Sequence, residues 1–96
     1  MKTNVDKIIK LVNSYKNLYD MAYTYYKLDV DMYISLLKND KDVSENELCL
    51  LLDYLLNFCA DDRILQIYKK LLRAMVPKYP YAVSDYIKFY KEEFED

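Results

Sequence analysis

From Val5 onward the apolar positions recur in steps of three and four: Val5, Ile8, Ile9, Val12, Tyr15, Tyr19, Tyr23, Tyr26, Val30, Tyr33, Ile34 and Leu37. That is a helical period. A polar line runs opposite, through Asp6, Asn13, Asn17, Asp20, Thr24, Lys27, Asp31, Ser35 and Lys38. Between the two lies a second apolar line, Leu11, Leu18, Met21, Tyr25, Leu28, Met32 and Leu36. The apolar arc is therefore wider than a helix packed on one side requires. Thr3 is the expected N-cap, with Asp6 supporting the first turn. Unbroken, the helix would hold about 36 residues and reach ~54 Å, against ~23 Å for each later helix. A compact bundle does not cover such a length. The pattern therefore predicts a break or sharp bend within Lys27–Asp31, with Asp29 capping a new start. The alternative is one long helix whose exposed part is covered by a second copy or a partner, with Leu18, Met21 and Tyr25 in the contact.

The segment after Lys38 is punctuated clearly. Ser44 and Glu47 have the spacing of a capping box, and Val43 and Leu48 that of a hydrophobic staple. A helix is expected from about Glu45 to Ala60. Its middle, Leu48 to Cys59, has ten apolar residues in twelve. Such a run reaches only ~18 Å, short of the ~30 Å of a bilayer core, so it reads as a core helix and not a membrane span. Asp53 and Asn57 mark a thin solvent-facing strip. Asp61 or Asp62 caps the next helix, whose apolar face is Ile64, Leu65, Ile67, Tyr68, Leu71, Leu72, Met75 and Val76. Pro77 stops it, and Pro80 fits the first turn of a last helix with a stripe of Val83, Tyr86, Ile87, Tyr90 and Phe94. The predicted fold is all-α: a single domain over residues 1–96, an antiparallel bundle of four or five helices with the Glu45–Ala60 segment at its centre.

Composition narrows the chemistry. The chain has no glycine, so it offers no glycine-rich phosphate loop, and no histidine, so it lacks the commonest general base and zinc ligand. Cys49 and Cys59 are its two cysteines. On one helix they would lie ~15 Å apart, beyond disulfide reach, so they read as buried free thiols in a reducing compartment. Asp29 and Asp31 would point to different sides of a helix, and "DVDMYISLLKND" lacks the spacing and glycine of a calcium loop. No catalytic residue, cofactor site or metal site emerges. "MKTNVDKIIK" has no continuous apolar core, so no signal peptide is expected and the expected location is cytoplasmic.

Charge comes in blocks. Residues 43–62 carry five acids and no base, and residues 63–80 carry five bases and no acid. The simplest consequence is an acidic helix beside a basic one. The functional candidate is a docking patch of Lys69, Lys70 and Arg73 with Lys78 nearby. The net charge of −2 and the small size of the patch argue against nucleic acid. The end, "KEEFED", is either a solvated tail or an acidic contact element. Tyrosine is used twelve times. Its ring packs while its hydroxyl seeks a partner, which suits half-buried surfaces and interfaces. Tyr15, Tyr19, Tyr23 and Tyr26 form one ladder, and Tyr79, Tyr81, Tyr86 and Tyr90 cluster near the other end of the chain. They are expected either to pack the two terminal segments together or to offer an aromatic contact surface.

The charged turn and helix start "KDVSENEL", the proline-stopped basic helix "ILQIYKKLLRAMVPKYP" and the short closing helix "VSDYIKFY" follow one another in an order and size that resemble a known family. It is the small immunity proteins of bacteriocin producers, the enterocin A and lactococcin A immunity type. The resemblance runs from Lys41 to about Tyr90, and residues 1–40 depart from it in length and tyrosine content. It implies a cytoplasmic four-helix bundle without catalysis that locks a bacteriocin onto its membrane sugar-permease receptor. Lys69, Lys70, Arg73, Tyr86 and Tyr90 would then be the positions to test. Apart from the resemblance, a short helical protein without motifs also fits a phage- or mobile-element-encoded inhibitor of a host defence complex, such as an anti-CRISPR. A third possibility is a self-associating structural protein, a homodimer formed through Leu18, Met21 and Tyr25.

Overall fold

The computed structural model describes residues 4–94, which form four helices: α1 (Asn4–Lys38), α2 (Glu45–Leu56), α3 (Asp62–Met75) and α4 (Pro80–Phe94). The expected Thr3 cap and the acidic side chains of "KEEFED" lie outside the described residues. The connections are short, so each helix folds back on the one before it. α2 and α3 form the middle and each packs on the other three helices, whereas the backbones of α1 and α4 nowhere approach within 8 Å. The two terminal segments therefore do not pack on each other. Tyr19, Tyr23, Tyr26 and Tyr33 of α1 pack against the common core instead. Among the described residues no helix is long and apolar enough to cross a membrane.

The expected break in the first helix does not occur. α1 runs unbroken through Lys27–Asp31, and Val30 within that stretch is 0% exposed. No glycine or proline interrupts it, and a cap at Asp29 would turn Val30 out of the core. The length argument finds its answer elsewhere. The bundle covers α1 from Tyr19, whose ring meets Phe58 edge-on at 5.8 Å, to Leu37. Residues 5–18 lie beyond it and are exposed throughout, and the molecule measures 59 Å along its longest axis.

α1 ends in a Schellman turn. The N–H of Lys41 donates to Leu36 O at 2.9 Å and that of Asp40 to Leu37 O at 3.2 Å, with Asp40 at φ 55°. Glycine usually holds this left-handed position; a chain without glycine puts aspartate there. Ser44 caps α2, its Oγ accepting from the N–H of Glu47 at 3.4 Å, and Val43 and Leu48 are both buried as the staple requires. Glu47 does not complete the box, because its carboxylate accepts from the Tyr33 hydroxyl at 3.5 Å.

α2 stops at Leu56, four residues before the expected end. Phe58 N–H donates to Leu55 O at 2.9 Å and Cys59 N–H to Leu56 O at 3.4 Å, so the chain tightens into three-residue turns. These keep Cys59 buried while bringing Asp61 into position as the α3 cap. Burial pushes the Cys59 thiol up to about 11, and burial also raises that of Cys49.

The core joins Val30, Leu48, Leu52, Leu55, Ile64, Tyr68, Leu71 and Met75. Of the face expected for α3, only Val76 is exposed and Leu65 is partly buried. Two tyrosines belong to the core because acceptors on neighbouring helices satisfy their hydroxyls. Tyr68 donates to Tyr86 O at 3.1 Å. The Tyr86 hydroxyl donates to Asp53 Oδ1 at 2.7 Å, with the Cys49 carbonyl at 3.0 Å. Burial raises the pKa of both phenols, and for Tyr86 the Asp53 carboxylate adds to the effect.

Candidate functional site

Three surfaces carry the residues singled out in the sequence. The first is α1 itself. Its projecting part exposes Val5, Ile8, Ile9, Leu11, Val12 and Tyr15, each by more than half. The helical period continues past the end of the bundle, so Val5, Ile8, Val12 and Tyr15 extend the stripe that Tyr19, Tyr23 and Tyr26 bury. On the far side, over the bundle, Leu18, Met21, Tyr25, Leu28 and Met32 form a continuous exposed line, and Met21 and Leu28 are 70% exposed. Scattered apolar side chains are ordinary on a protein surface; a contiguous line marks a contact.

The second surface is a groove of ≈ 510 Å³ between α1 and α2, walled by Tyr25, Tyr26, Tyr33, Leu50 and Tyr54 with Asp29 and Glu47 at its edge. Tyr26 stacks on Tyr54 at 6.1 Å and 15°, and Tyr25 meets Tyr26 edge-on at 5.3 Å. Burial raises the Tyr33 phenol, and the neighbouring Glu47 carboxylate raises it further. Aromatic faces beside two carboxylates suit a cationic or aromatic side chain from a partner. The strip expected from Asp53 and Asn57 alone is thus wider, since Leu50 and Tyr54 share it.

The third surface is the basic ridge of α3. Lys70 and Arg73 are exposed and Lys69 is half-buried. Lys70 and Arg73 line a shallow groove with Asp31, Ile34 and Lys38 of α1, and Lys69 and Arg73 border a smaller apolar one with Val83 and Ile87 of α4. The other residues grouped with this ridge are elsewhere. Lys78 reaches the turn after α1, donating to Lys41 O at 3.1 Å and lying 3.6 Å from Asp42. Tyr86 is in the core, and Tyr90 packs against Tyr68 with 6.3 Å between ring centroids. The six residues therefore do not form one surface. Acidic α2 and basic α3 are neighbours, but the ion pairs between described residues join neither to the other.

One residue at the base of the bundle escaped the sequence reading. Arg63 donates to Asp20 at 2.6 Å and to its own cap Asp61 at 2.8 Å, with its guanidinium 4.9 Å over the Tyr23 ring. It joins α1 to the start of α3 where the projecting part begins. The Asp61–Arg63 spacing is visible in the sequence. Asp20 and Tyr23 are about forty residues away, and nothing local points to them. Among the described residues no three cysteine, aspartate or glutamate side chains gather as a metal site. No protein-family model, curated protein or solved structure matches this chain.

Proposed function

We propose that this chain is a non-enzymatic cytoplasmic protein that acts by docking another protein onto α1. The observation behind this reading is the projecting part of the helix, residues 5–18, where Val5, Ile8, Ile9 and Val12 are each more than half exposed. Holding about twenty ångströms of apolar helix in water costs solubility and adds nothing to the bundle. A partner groove that takes up this face would work in the helix-in-groove mode. The tyrosine groove lies beside the same helix and would extend the contact. Immunity to a bacteriocin and inhibition of a soluble defence complex are two forms of this binding, and the partner distinguishes them.

The test is affinity capture from a detergent-solubilised lysate of the native host, comparing the wild-type chain with an Ile8→Glu/Val12→Glu variant. Loss of a specific protein from the variant's catch supports the reading. A sugar-permease subunit, enriched when bacteriocin is added, identifies the immunity form, and a soluble nuclease complex the inhibitor form. An identical catch from both chains removes α1 as the docking element. Reversal of Lys69, Lys70 and Arg73 to glutamate, which leaves the core untouched, then asks whether the α3 ridge carries the binding instead.

A further inference from the structure

The far side of α1 makes a second and separate statement. Leu11, Leu18, Met21, Tyr25, Leu28 and Met32 are spaced seven, three, four, three and four residues apart, and all are exposed. Together with Ser14 they fill alternate a and d positions of a heptad register, Leu11, Leu18, Tyr25 and Met32 at a, Ser14, Met21 and Leu28 at d. This is the pattern of a seam that packs against one other helix. The bundle buries the other side of the helix; Tyr25 alone of the seam also borders the α1–α2 groove, and every seam side chain remains about half exposed or more.

We propose that the seam pairs with the same seam of a second copy, the two α1 helices running antiparallel. Charge decides the direction. The projecting part carries Lys7, Lys10 and Lys16 against Asp6, and the part over the bundle carries Asp29 and Asp31 against Lys27, its Asp20 being paired with Arg63. A parallel pair would set basic beside basic and acidic beside acidic. An antiparallel pair sets the basic half of each helix on the acidic half of the other. Length agrees: residues 7–18 project and residues 21–32 carry the seam over the bundle, so a two-fold axis between Leu18 and Met21 superposes one stretch on the other. In that register Leu11 faces Leu28, Leu18 faces Met21, and the flanking Lys10 and Asp31 meet twice, once on each side of the axis. Such an interface is closed and isologous, and it leaves Val5, Ile9 and Val12 on another face of the helix for a different partner. Half to two-thirds exposure of these side chains and of flanking Ile8 and Tyr15 gives on the order of 700 Å² per copy, close to the ~800 Å² of a standard interface.

Sedimentation equilibrium of the wild-type chain across micromolar concentrations is the first measurement. A monomer–dimer equilibrium is expected, weakened about 100-fold or more by Met21→Glu/Leu28→Glu. Both positions are exposed, so helicity and melting of the bundle are expected to persist in that variant, which separates loss of pairing from loss of fold. Direction is read by cross-linking. Leu11→Cys and Leu28→Cys chains are expected to form a mixed disulfide with each other, and neither with itself. Self-linking of the Leu28→Cys chain would indicate a parallel pair and overturn the proposal. A strict monomer at the highest concentration would overturn it too, while leaving the docking of a foreign protein to be judged by its own capture experiment.

Discussion

α1 is two helices in one, and its halves differ less in sequence than in what lies beside them. Residues 5–18 and residues 19–37 repeat apolar side chains at the same period. In the second half this stripe buries Ala22 and Val30 against α2 and α3; in the first half Val5, Ile8 and Val12 face solvent at more than half exposure. The tyrosine ladder crosses the boundary, with Tyr15 exposed and Tyr19 half-buried against Phe58. Periodicity thus tells which side of a helix wants cover. It does not tell whether this chain supplies the cover, and the difference between the halves is what the proposed docking on α1 rests on.

The largest effect expected lies at the centre of what the second half covers. Leu55 is 0% exposed, so Leu55→Asp sets an unpaired charge among Leu48, Ile64 and Leu71. The expected cost is roughly 4 kcal/mol or more, enough to abolish the cooperative urea transition of a domain this small. A cooperative melt near that of the wild type would mean that the packed half of the comparison is wrongly drawn.

A matched pair of truncations compares the two halves directly. Val30→Ala removes two buried methyl groups and is expected to cost about 2 kcal/mol, whereas Val12→Ala on the same helix is expected to change stability by less than about 0.5 kcal/mol. Urea midpoints of the two variants decide it. Equal losses would mean that the projecting half is packed in solution. Since a self-paired α1 buries Leu11 and Leu18 but not Val12, the pair should behave the same in dilute and in concentrated solution.

These contrasts also mark where sequence reading succeeds and where it stops. The starts of the last three helices, the Ser44 cap, a cap at Asp61 or Asp62, the stop at Pro77 and the amphipathic face of α3 all follow from residues within one or two turns of each other. The errors involve distance. The continuity of α1 depends on Val30 meeting residues of α2 and α3, which no local signal at Asp29 can outweigh. Tyr86 reads as a surface aromatic until Asp53 and the Cys49 carbonyl meet its hydroxyl from another helix. Arg63 reads as one base in a basic block until Asp20 is seen beside it. Leu18, Met21 and Tyr25 were legible as a line, while the charge asymmetry that orients a partner along it appears only once the helix is known to be unbroken.

At the boundary between the halves, the prediction concerns pH. Asp61 is held below the usual carboxylate range, first by the Arg63 side chain and then by the backbone N–H groups of Arg63 and Ile64. Its folded value is lowered, so its contribution is complete above the unfolded value of about 3.9 and is lost as pH falls through the folded value. Asp61→Asn keeps a capping side chain but cannot ionise. The variant is expected to be less stable than the wild type at neutral pH, with the gap closing as the solution is acidified below about pH 4. A gap independent of pH would assign Asp61 a purely geometric role.

The smallest effect lies at the other end of α1. Asp40 occupies the left-handed turn position at φ 55°, where a side chain crowds the following carbonyl and glycine does not. Both Schellman hydrogen bonds come from backbone groups, those of Lys41 and Asp40, so glycine would keep them. Asp40→Gly is therefore expected to stabilise the domain by about 0.5–1 kcal/mol, read as a higher urea midpoint with an unchanged slope. A lower midpoint would mean that the restriction Asp40 places on the unfolded chain outweighs the strain it relieves. Either result bears on α1 as a whole. A chain without glycine fixes the path of its connections with hydrogen bonds and caps, and the turn at Asp40 sets how the packed half of α1 leads into α2.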